Sequence, residues 1–222
     1  FVKGLKDITV VFDMFYRSNP DGAGFAICAG LEQLVEYIQN MRFTDEDIAY
    51  LRGRKMFDEG FLDYLKNFHF TGTIEAIPEG TIVYPGTPLV TVTAPLIEAQ
   101  LIETMMLLTI NHQTLIATKA NRICRAAEPA VIMEFGARRA QGADAAIEGA
   151  RAAYIGGVGA TATVIADQMF GVTAVGTMAH SWVQFFPTEF EAFKAYAEVY
   201  PDSCTLLIDT YDILEGGLVN AI

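Results

Sequence analysis

The sequence predicts an α/β protein with two regions, and three features of the chain support this class. Residues 71–95 carry short β-rich runs separated by Pro-Glu-Gly and Pro-Gly turns, which are typical of a compact antiparallel sheet. Residues 96–127 are almost continuously helix-forming. From residue 129, apolar runs alternate with helical patterns, as in parallel sheets with helical crossovers. We therefore expect one domain at 1–128 and a second at 129–222.

The first region is predicted to contain a strand and three helices before the β-rich run. Residues 8–17 are β-branched and aromatic and indicate a strand, whereas 29–41 and 58–68 show helical spacing of apolar residues. Thr44, followed three positions later by Asp47, predicts a capped helix start. Segment 96–127 is expected to form one long helix, or two with a bend near Asn111. Its core-facing stripe is predicted to be Ile97, Leu101, Met105, Leu108, Leu115 and Ile123.

The second region is predicted to be built from alternating strands and helices. Strands are expected at 131–135, 172–177 and 204–209, and helices at 143–154, 161–170 and 188–199. Parallel strands that are buried on both faces should be apolar on both, as these runs are. Three strands do not close a barrel, which needs about eight. We therefore expect that the sequence was cut or that later residues are missing.

Composition excludes some classes of function. The chain has 15 Lys and Arg against 27 Asp and Glu, a formal charge of −12, which argues against a general nucleic-acid binder but not against a local basic pocket. Cys28, Cys124 and Cys204 are odd in number and lack CxxC spacing, which favours reduced thiols in a cytoplasmic protein. Residues 168–188 lack charged side chains, but glycines and a proline interrupt them, so we expect no membrane helix.

Candidate functional residues follow the predicted strands of the second region, where α/β proteins gather their chemistry. Arg138 and Arg139 come after a strand and a glycine, and adjacent guanidinium groups grip phosphate or carboxylate; they could equally be surface arginines. His180 lies four residues after Gly176, near a helix start. It could be an acid, a base, a nucleophile or a structural histidine.

Three further features carry weaker signals. Asp209 and Asp212 could bind ribose hydroxyls or a metal held by pyrophosphate, or cap the following helix. The glycines at 156, 157 and 159 could present amides to an anion, although they match no nucleotide fingerprint. His69 and His112 fit structural roles better, and no metal-ligand spacing surrounds the C-terminal histidine, so no metal site is predicted.

Several motifs, in the same order, closely resemble those of bacterial nicotinate phosphoribosyltransferases. In the second region they are EFGARRAQGADAAIEGARAAYIGGVGAT, FGVTAVGTMAHSWVQFF and LLIDTYDILEGGLVNAI. In the first region FDMFYRSNP, AGLEQLVEYI, FTGTIEAIPEGTIVYPGTPLV and EAQLIETMMLLTINHQTLIATKA look like the same family's first domain. The resemblance covers nearly the whole chain. One departure is the GATAT run at 159–163, where family members commonly have a Gly-Thr-Ser-Asn-like run.

The resemblance implies the type II phosphoribosyltransferase fold, in which an N-terminal α/β domain precedes an irregular, TIM-like α/β barrel, here incomplete. It implies transfer of phosphoribosyl from phosphoribosyl pyrophosphate to nicotinate in NAD biosynthesis, coupled to ATP hydrolysis, with Mg²⁺, by a homodimer. His180 of the GTMAHS motif would be transiently phosphorylated by ATP, and Thr177 would contact nicotinate. We predict that the other substrate-binding residues are Arg138, Arg139, Gly176, Ser181 and Asp209.

Two alternatives stay open at this point. The first is a sister phosphoribosyltransferase that acts on nicotinamide or quinolinate, and the second is a non-catalytic ligand-binding homologue. The family's N-terminal aromatic residue and its later arginine and glycine-rich phosphate loop lie outside the 222 residues. We therefore expect the chain by itself to be inactive.

Overall fold

The computed structural model describes residues 1–222, which divide into two compact units, 1–174 and 175–222. The strands, all in the first unit, are β1 (Thr9–Phe15), β2 (Ala26–Ile27), β3 (Thr73–Ala76), β4 (Ile82–Val83), β5 (Pro88–Pro95), β6 (Met133–Glu134) and β7 (Ala160–Thr161). The α-helices of the first unit are α1 (Leu31–Asn40), α2 (Asp45–Gly53), α3 (Glu59–Lys66), α4 (Leu96–Ala127), α5 (Ala143–Ile155) and α6 (Val164–Phe170). Those of the second unit are α7 (His180–Phe185), α8 (Glu189–Val199) and α9 (Leu218–Ala221).

The main sheet of the first unit has three antiparallel strands in the order β1-β5-β3. The strand predicted at 8–17 is confirmed as β1. The antiparallel sheet predicted for 71–95 is confirmed by the pairing of β3 with β5, although strands from outside the run also take part. Strand β4 pairs with β2 in a separate two-stranded sheet, and β1 takes the second edge of β5. The partners of β4 and of the second edge of β5 therefore come from segments far away in sequence, as the pairings of Ile27 with Ile82 and of Phe12 with Val92 show.

Helix α4 is one continuous helix of 32 residues, and the buried face differs from the predicted one. Leu108 is 56% exposed and Ile123 is 46% exposed, so the predicted apolar stripe is wrong. The buried face instead includes Gln113, Thr114 and Thr118, which are at most 1% exposed. This polar face of α4 is buried because it packs against the free edge of β2. Buried backbone groups on that edge need hydrogen-bond partners, which polar side chains can supply.

Threonine side chains of α4 supply those partners. Thr118 Oγ1 accepts from the amide of Ile27 at 2.9 Å and donates to the carbonyl of Thr114 at 2.6 Å. One turn earlier, Thr114 Oγ1 contacts both the amide and the carbonyl of Ala29 at 3.2 Å. The edge of β2 opposite β4 is therefore hydrogen-bonded by a helix, which the apolar periodicity of the sequence does not reveal.

Several helix starts agree with the sequence. Thr44 and Asp47 form the predicted capping box at the start of α2, and the predicted helices at 29–41, 58–68, 143–154 and 188–199 are confirmed as α1, α3, α5 and α8. Asp58 caps α3 through the amide of Gly60, and Thr188 caps α8 through the amide of Glu191. Each cap satisfies an amide that the first helical turn leaves without a partner.

The predicted strands after residue 129 are confirmed only in part. The strand predicted at 131–135 is shortened to β6, which pairs in parallel with β7, a strand that the sequence did not predict, and the predicted helical crossover between parallel strands is α5. The helix predicted at 161–170 begins at Val164, because Thr161 belongs to β7. The strand predicted at 172–177 is reduced to a single bridge between Ala174 and Thr161. Segment 204–209 is not a strand. Its apolar side chains pack against Val183 and Phe193 of the second unit, where no strand offers a backbone partner.

Arg151 of α5 lies at a junction of the first unit. Its guanidinium donates to Glu79 at 2.9 and 2.7 Å, pairs with Glu32 of α1, and lies over the Phe170 ring. Glu79 also accepts from the amide of Gly30 at 2.6 Å. Burial alone would raise the Glu79 pKa, but these hydrogen bonds and the guanidinium charge together hold that pKa below its usual value. The junction ties α1, α5 and the segment before β4 together.

Two further expectations concern membranes and cysteines. None of the helices is both long enough and apolar enough to cross a bilayer. Cys28, Cys124 and Cys204 are free thiols. Burial raises the pKa of the Cys28 thiol to about 11, so it stays protonated at neutral pH.

Candidate functional site

The second unit brings two of the predicted site residues together. His180 is the first residue of α7, and its Nε2 lies 3.1 Å from Oδ1 of Asp209. The two side chains are 55% and 53% exposed, so both are open to solvent on one side. A carboxylate at this distance accepts the Nε2 proton of a neutral imidazole. In that tautomer the lone pair lies on Nδ1.

Packing around Gly217 and Asp212 positions the segment that carries Asp209. A Cβ on Gly217 would meet the carbonyl oxygen of Ile208 at 1.9 Å, so only glycine allows the π-helical turn Ile213–Gly217 to approach this closely. Asp212 caps that turn by accepting from the amides of Leu214 and Glu215 at 2.9 and 2.7 Å. The capping alternative for Asp212 is therefore confirmed, whereas the Asp209 carboxylate is directed to the histidine.

The other predicted site residues of the second unit surround the start of α7. Thr177 is exposed, and its hydroxyl donates to the carbonyl of Met178 at 3.1 Å. Gly176 is exposed with no atom within 4 Å of where a Cβ would lie, and Ser181 is exposed in the first turn of α7. These residues leave hydroxyl groups and open space beside the imidazole, on the segment 176–181.

The predicted arginines lie in the first unit, in a single turn after β6. Arg138 and Arg139 are exposed and make no ion pair or side-chain hydrogen bond. The turn is held by Glu134, whose carboxylate accepts from Thr161 Oγ1 at 2.7 Å and from the amide of Gly136. Because Thr161 is fully buried on β7, this carboxylate anchors the start of the arginine-bearing turn to the parallel strand pair.

A cavity of about 940 Å³ opens beside this turn between α4 and α5. Arg139 lines it together with Glu134, His112, Asp144 and Glu148. Burial raises the pKa of Glu148, and the nearby imidazole of His112 only partly offsets this effect. The sequence reading did not single out Asp144 and Glu148. Their spacing of four residues on the alanine-rich helix places both on one face and would have indicated a polar stripe.

The glycine-rich segment after α5 has a packing role in this structure. The amides of Gly156, Gly157 and Gly159 donate to the carbonyls of Ala152, Tyr154 and Ile132 at 2.9–3.0 Å. A Cβ at Gly156 would meet the carbonyl oxygen of Ala117 at 2.4 Å. These amides are therefore engaged, and the expectation that they could bind an anion is wrong. The glycines allow α5 to end against α4.

Comparison with known proteins assigns the chain to a family. Residues 1–111, half of the chain, match the family model described as the nicotinate phosphoribosyltransferase (NAPRTase) N-terminal domain. The chain belongs to the nicotinate phosphoribosyltransferase family.

Relatives extend the family similarity beyond residue 111. A nicotinate phosphoribosyltransferase of Bacillus subtilis is 47% identical over 219 residues, which is 99% of this chain and 44% of that protein. One from Mycobacterium tuberculosis is 45% identical over 208 residues, which is 94% of this chain and 45% of that protein. The chain thus spans about half the length of the nicotinate phosphoribosyltransferases that it matches.

The solved structure of human nicotinic acid phosphoribosyltransferase confirms the fold class. It superposes with a TM-score of 0.92 at 30% identity over 99% of this chain and 54% of the human chain. A nicotinate-nucleotide pyrophosphorylase from Pyrococcus furiosus shares the fold with a TM-score of 0.73 at 24% identity. The mixed α/β architecture predicted for a nicotinate phosphoribosyltransferase is therefore observed, and the domain boundary at 128/129 and the substrate roles of individual residues stay predictions.

Proposed function

We propose that this chain serves the transfer of a phosphoribosyl group from phosphoribosyl pyrophosphate to nicotinate, which yields nicotinate mononucleotide and pyrophosphate for NAD biosynthesis. Family membership supports the reaction class, and the pairing of His180 with Asp209 is the single geometric observation that carries the proposal. The histidine lies in the GTMAHS motif, on an open face of the second unit. The enzyme is proposed to be cytoplasmic, in keeping with its three free thiols.

In the proposed transfer the nicotinate ring nitrogen attacks the anomeric carbon as the bond to pyrophosphate breaks. Negative charge then grows on the leaving group, and fixed cations that contact it lower the barrier. Arg138 and Arg139 suit this role because neither guanidinium is paired with a carboxylate. Thr177, Gly176 and Ser181 are proposed to contact nicotinate and the sugar phosphate, since their segment presents hydroxyl groups and open space.

ATP is proposed to phosphorylate His180. Nδ1, which holds the lone pair when Nε2–H donates to Asp209, attacks the γ-phosphorus of ATP. A nitrogen–phosphorus bond forms, the bond from the γ-phosphorus to the bridging oxygen breaks, and ADP leaves. Water later cleaves the phosphohistidine, which releases phosphate and restores the imidazole. The carboxylate of Asp209 orients the ring and stabilises the positive charge that grows on it.

Mg²⁺, which the family resemblance implies, has no ligand set in this chain. No group of three or more His, Cys, Asp or Glu side chains could hold a metal ion. The Asp212 carboxylate is engaged by backbone amides, and that of Asp209 faces the imidazole. The chain's residues therefore do not form a site for the ion by themselves, and no step above depends on it.

A homodimer is proposed on the basis of the outer face of α4. Leu107, Leu108, Leu115 and Ile123 are 36–56% exposed on that helix, and Phe15 of β1 is 48% exposed. Large apolar side chains that share one helix are typical of protein–protein interfaces. Analytical ultracentrifugation of Leu108→Lys should show a shift toward monomer if this face forms the interface.

The proposed function is tested with the full-length protein. Formation of nicotinate mononucleotide should rise when ATP is added, and γ-labelled ATP should label the protein at Nδ1 of His180. His180→Asn should abolish the label and the ATP-dependent increment. The matched control is His69→Asn, because His69 is exposed and contacts only the carbonyl of Asn67 at 3.3 Å. Asp209→Asn should lower the labelling rate about 100-fold with little change in the KM for ATP.

The other interpretations predict different outcomes of the same assay. Faster turnover of nicotinamide or quinolinate than of nicotinate would identify a sister phosphoribosyltransferase. No product with any of the three bases would indicate a ligand-binding homologue. Labelling that persists in His180→Asn would show that the imidazole is not the phosphoryl acceptor.

A further inference from the structure

A small basic cavity lies in the first unit, between the loop 22–25 and the C-terminal part of α4. Its volume is about 360 Å³, and no carboxylate lines it. The lining residues are Gly22, Ala23, Gly24, Phe25, Arg122 and Arg125. In a chain with a formal charge of −12, a cavity lined by two arginines and no acid is unusual enough to require a physical account.

The charges around this cavity leave the arginines largely uncompensated. The carboxylate of Asp21 makes a close ion pair with Lys119, which lowers the Asp21 pKa and keeps the group ionised. Arg122 is 3.7 Å from the same carboxylate. Arg125 has no ion-pair partner, and its guanidinium lies 5.6 Å from the centre of the Phe25 ring. Lys119 and Arg122 therefore share one carboxylate, Arg125 pairs with none, and the two arginines lie on one face of α4, one turn apart.

The backbone of the loop supplies a donor without an acceptor. The amide of Ala29 donates to the hydroxyl of Thr114, and the amide of Ile27 donates to the hydroxyl of Thr118. A step of two residues toward the N-terminus of this segment therefore corresponds to a step of four residues toward the C-terminus of α4. Continued at the same interval, this series would bring the amide of Phe25 to position 122. The side chain at that position is Arg122, whose guanidinium has only hydrogen-bond donors and cannot accept from an amide. The amides of Phe25 and Gly24 accordingly donate to no protein group.

The loop before β2 is held in a defined conformation. Asp21 and Gly22 both have left-handed backbone angles, with φ of 53° and 65°, and the side-chain amide of Asn19 holds the loop by donating to the carbonyl of Ala23 at 2.9 Å. Gly24, Phe25, Arg122 and Arg125 all line the same small cavity.

We propose that this cavity binds a phosphate-type anion, either inorganic phosphate or the terminal phosphate of pyrophosphate. An anion oxygen would take the acceptor position that the threonine hydroxyls occupy at the two preceding turns of α4, and Arg122 and Arg125 would neutralise its charge. A simpler role for the arginines is to oppose the negative C-terminal end of the helix dipole. That role predicts no ligand.

The test follows backbone amides by ¹⁵N NMR while pyrophosphate is added to the 222-residue chain. All titrations are made in the double variant Arg138→Gln/Arg139→Gln, so that the two arginines proposed to bind substrate do not contribute to the signal changes. The amide signals of Gly24 and Phe25 should move in a saturable manner. Arg122→Thr should weaken the apparent affinity at least about tenfold, because a threonine hydroxyl continues the series and occupies the acceptor position. Arg54→Gln, an exposed arginine of α2's C-terminal end, is the matched control and should bind as the background does.

Each outcome decides the proposal. Saturation with both inorganic phosphate and pyrophosphate would assign the site to a single phosphate group, and saturation with pyrophosphate alone would assign it to a diphosphate. Shifts equal to those in sodium chloride of the same ionic strength would overturn the proposal, because general screening would explain them. Unchanged saturation in Arg122→Thr would also overturn it.

Discussion

Replacement of Arg151 by Met tests whether one buried ion pair holds the first unit together. The Arg151 side chain is 11% exposed and that of Glu79 is 18% exposed. Loss of one partner from a buried pair costs about 3–5 kcal/mol because the remaining charge stays buried without compensation. Glu79 would keep the amides of Gly30 and Leu31 as donors at 2.6 and 3.0 Å. We therefore expect the lower end of this range, about 3 kcal/mol.

Urea unfolding of the 222-residue chain, followed by circular dichroism, measures this loss. A change of this size corresponds to a decrease in Tm of about 6–12 °C for a chain of this length. The matched control is Lys66→Met, which removes the 2.9 Å ion pair with Asp45 at a site where the two side chains are 54% and 84% exposed. Exposed pairs contribute little, so the control should unfold at the wild-type urea concentration.

The coupling between the two residues is measured with Glu79→Gln and the double variant. If the pair acts as argued, the double variant loses less stability than the sum of the single variants, since the second substitution removes a charge that is already unpaired. A loss below about 1 kcal/mol for Arg151→Met would refute the reasoning, because it would place this pair with the exposed ones.

Further predictions concern pH, close packing and capping. The Glu79 pKa is lowered in the folded chain. The ionised Glu79 carboxylate therefore stabilises the fold above its unfolded pKa of about 4.3, and this contribution is lost as the pH falls through the folded pKa. Between pH 5 and pH 3, the wild-type chain should lose more stability than Glu79→Gln in urea titrations. Gly156→Ala should lower the free energy of unfolding by about 1–3 kcal/mol, because a Cβ would lie 2.4 Å from a backbone oxygen. Gly53→Ala should raise it by about 0.5–1 kcal/mol, because Gly53 lies in α2 with open space around it. Thr188→Ala should cost about 1 kcal/mol through loss of the α8 cap.

Local signals in the sequence predicted the helices well. Capping residues such as Thr44, Asp58 and Thr188 act within three positions, so the sequence contains both partners of the interaction. The site was partly predictable for a related reason. His180 lies at a helix start that local patterns indicate, but its partner Asp209 is 29 residues away and was assigned to a strand.

The strands after residue 129 show where local reasoning fails. An apolar run such as 204–209 indicates burial, and burial is observed for much of it against α7 and α8. Whether such a run becomes a strand depends on another backbone at hydrogen-bonding distance, which only the assembled unit supplies. The same limit explains α4. Leucine spacing predicts its apolar stripe, whereas the need of the β2 edge for hydrogen bonds decides which face is buried.

The sequence by itself determined the α/β class, most helices, the family motifs and the residue types available for chemistry. Only the tertiary structure decided that Asp209 faces His180, that Arg138 and Arg139 are unpaired, and that Arg122 and Arg125 line one cavity with Phe25. Helix caps and periodicity arise from contacts within a few residues. Pairing of backbone edges and distant charges depends on which segments meet in space, and no local pattern encodes that.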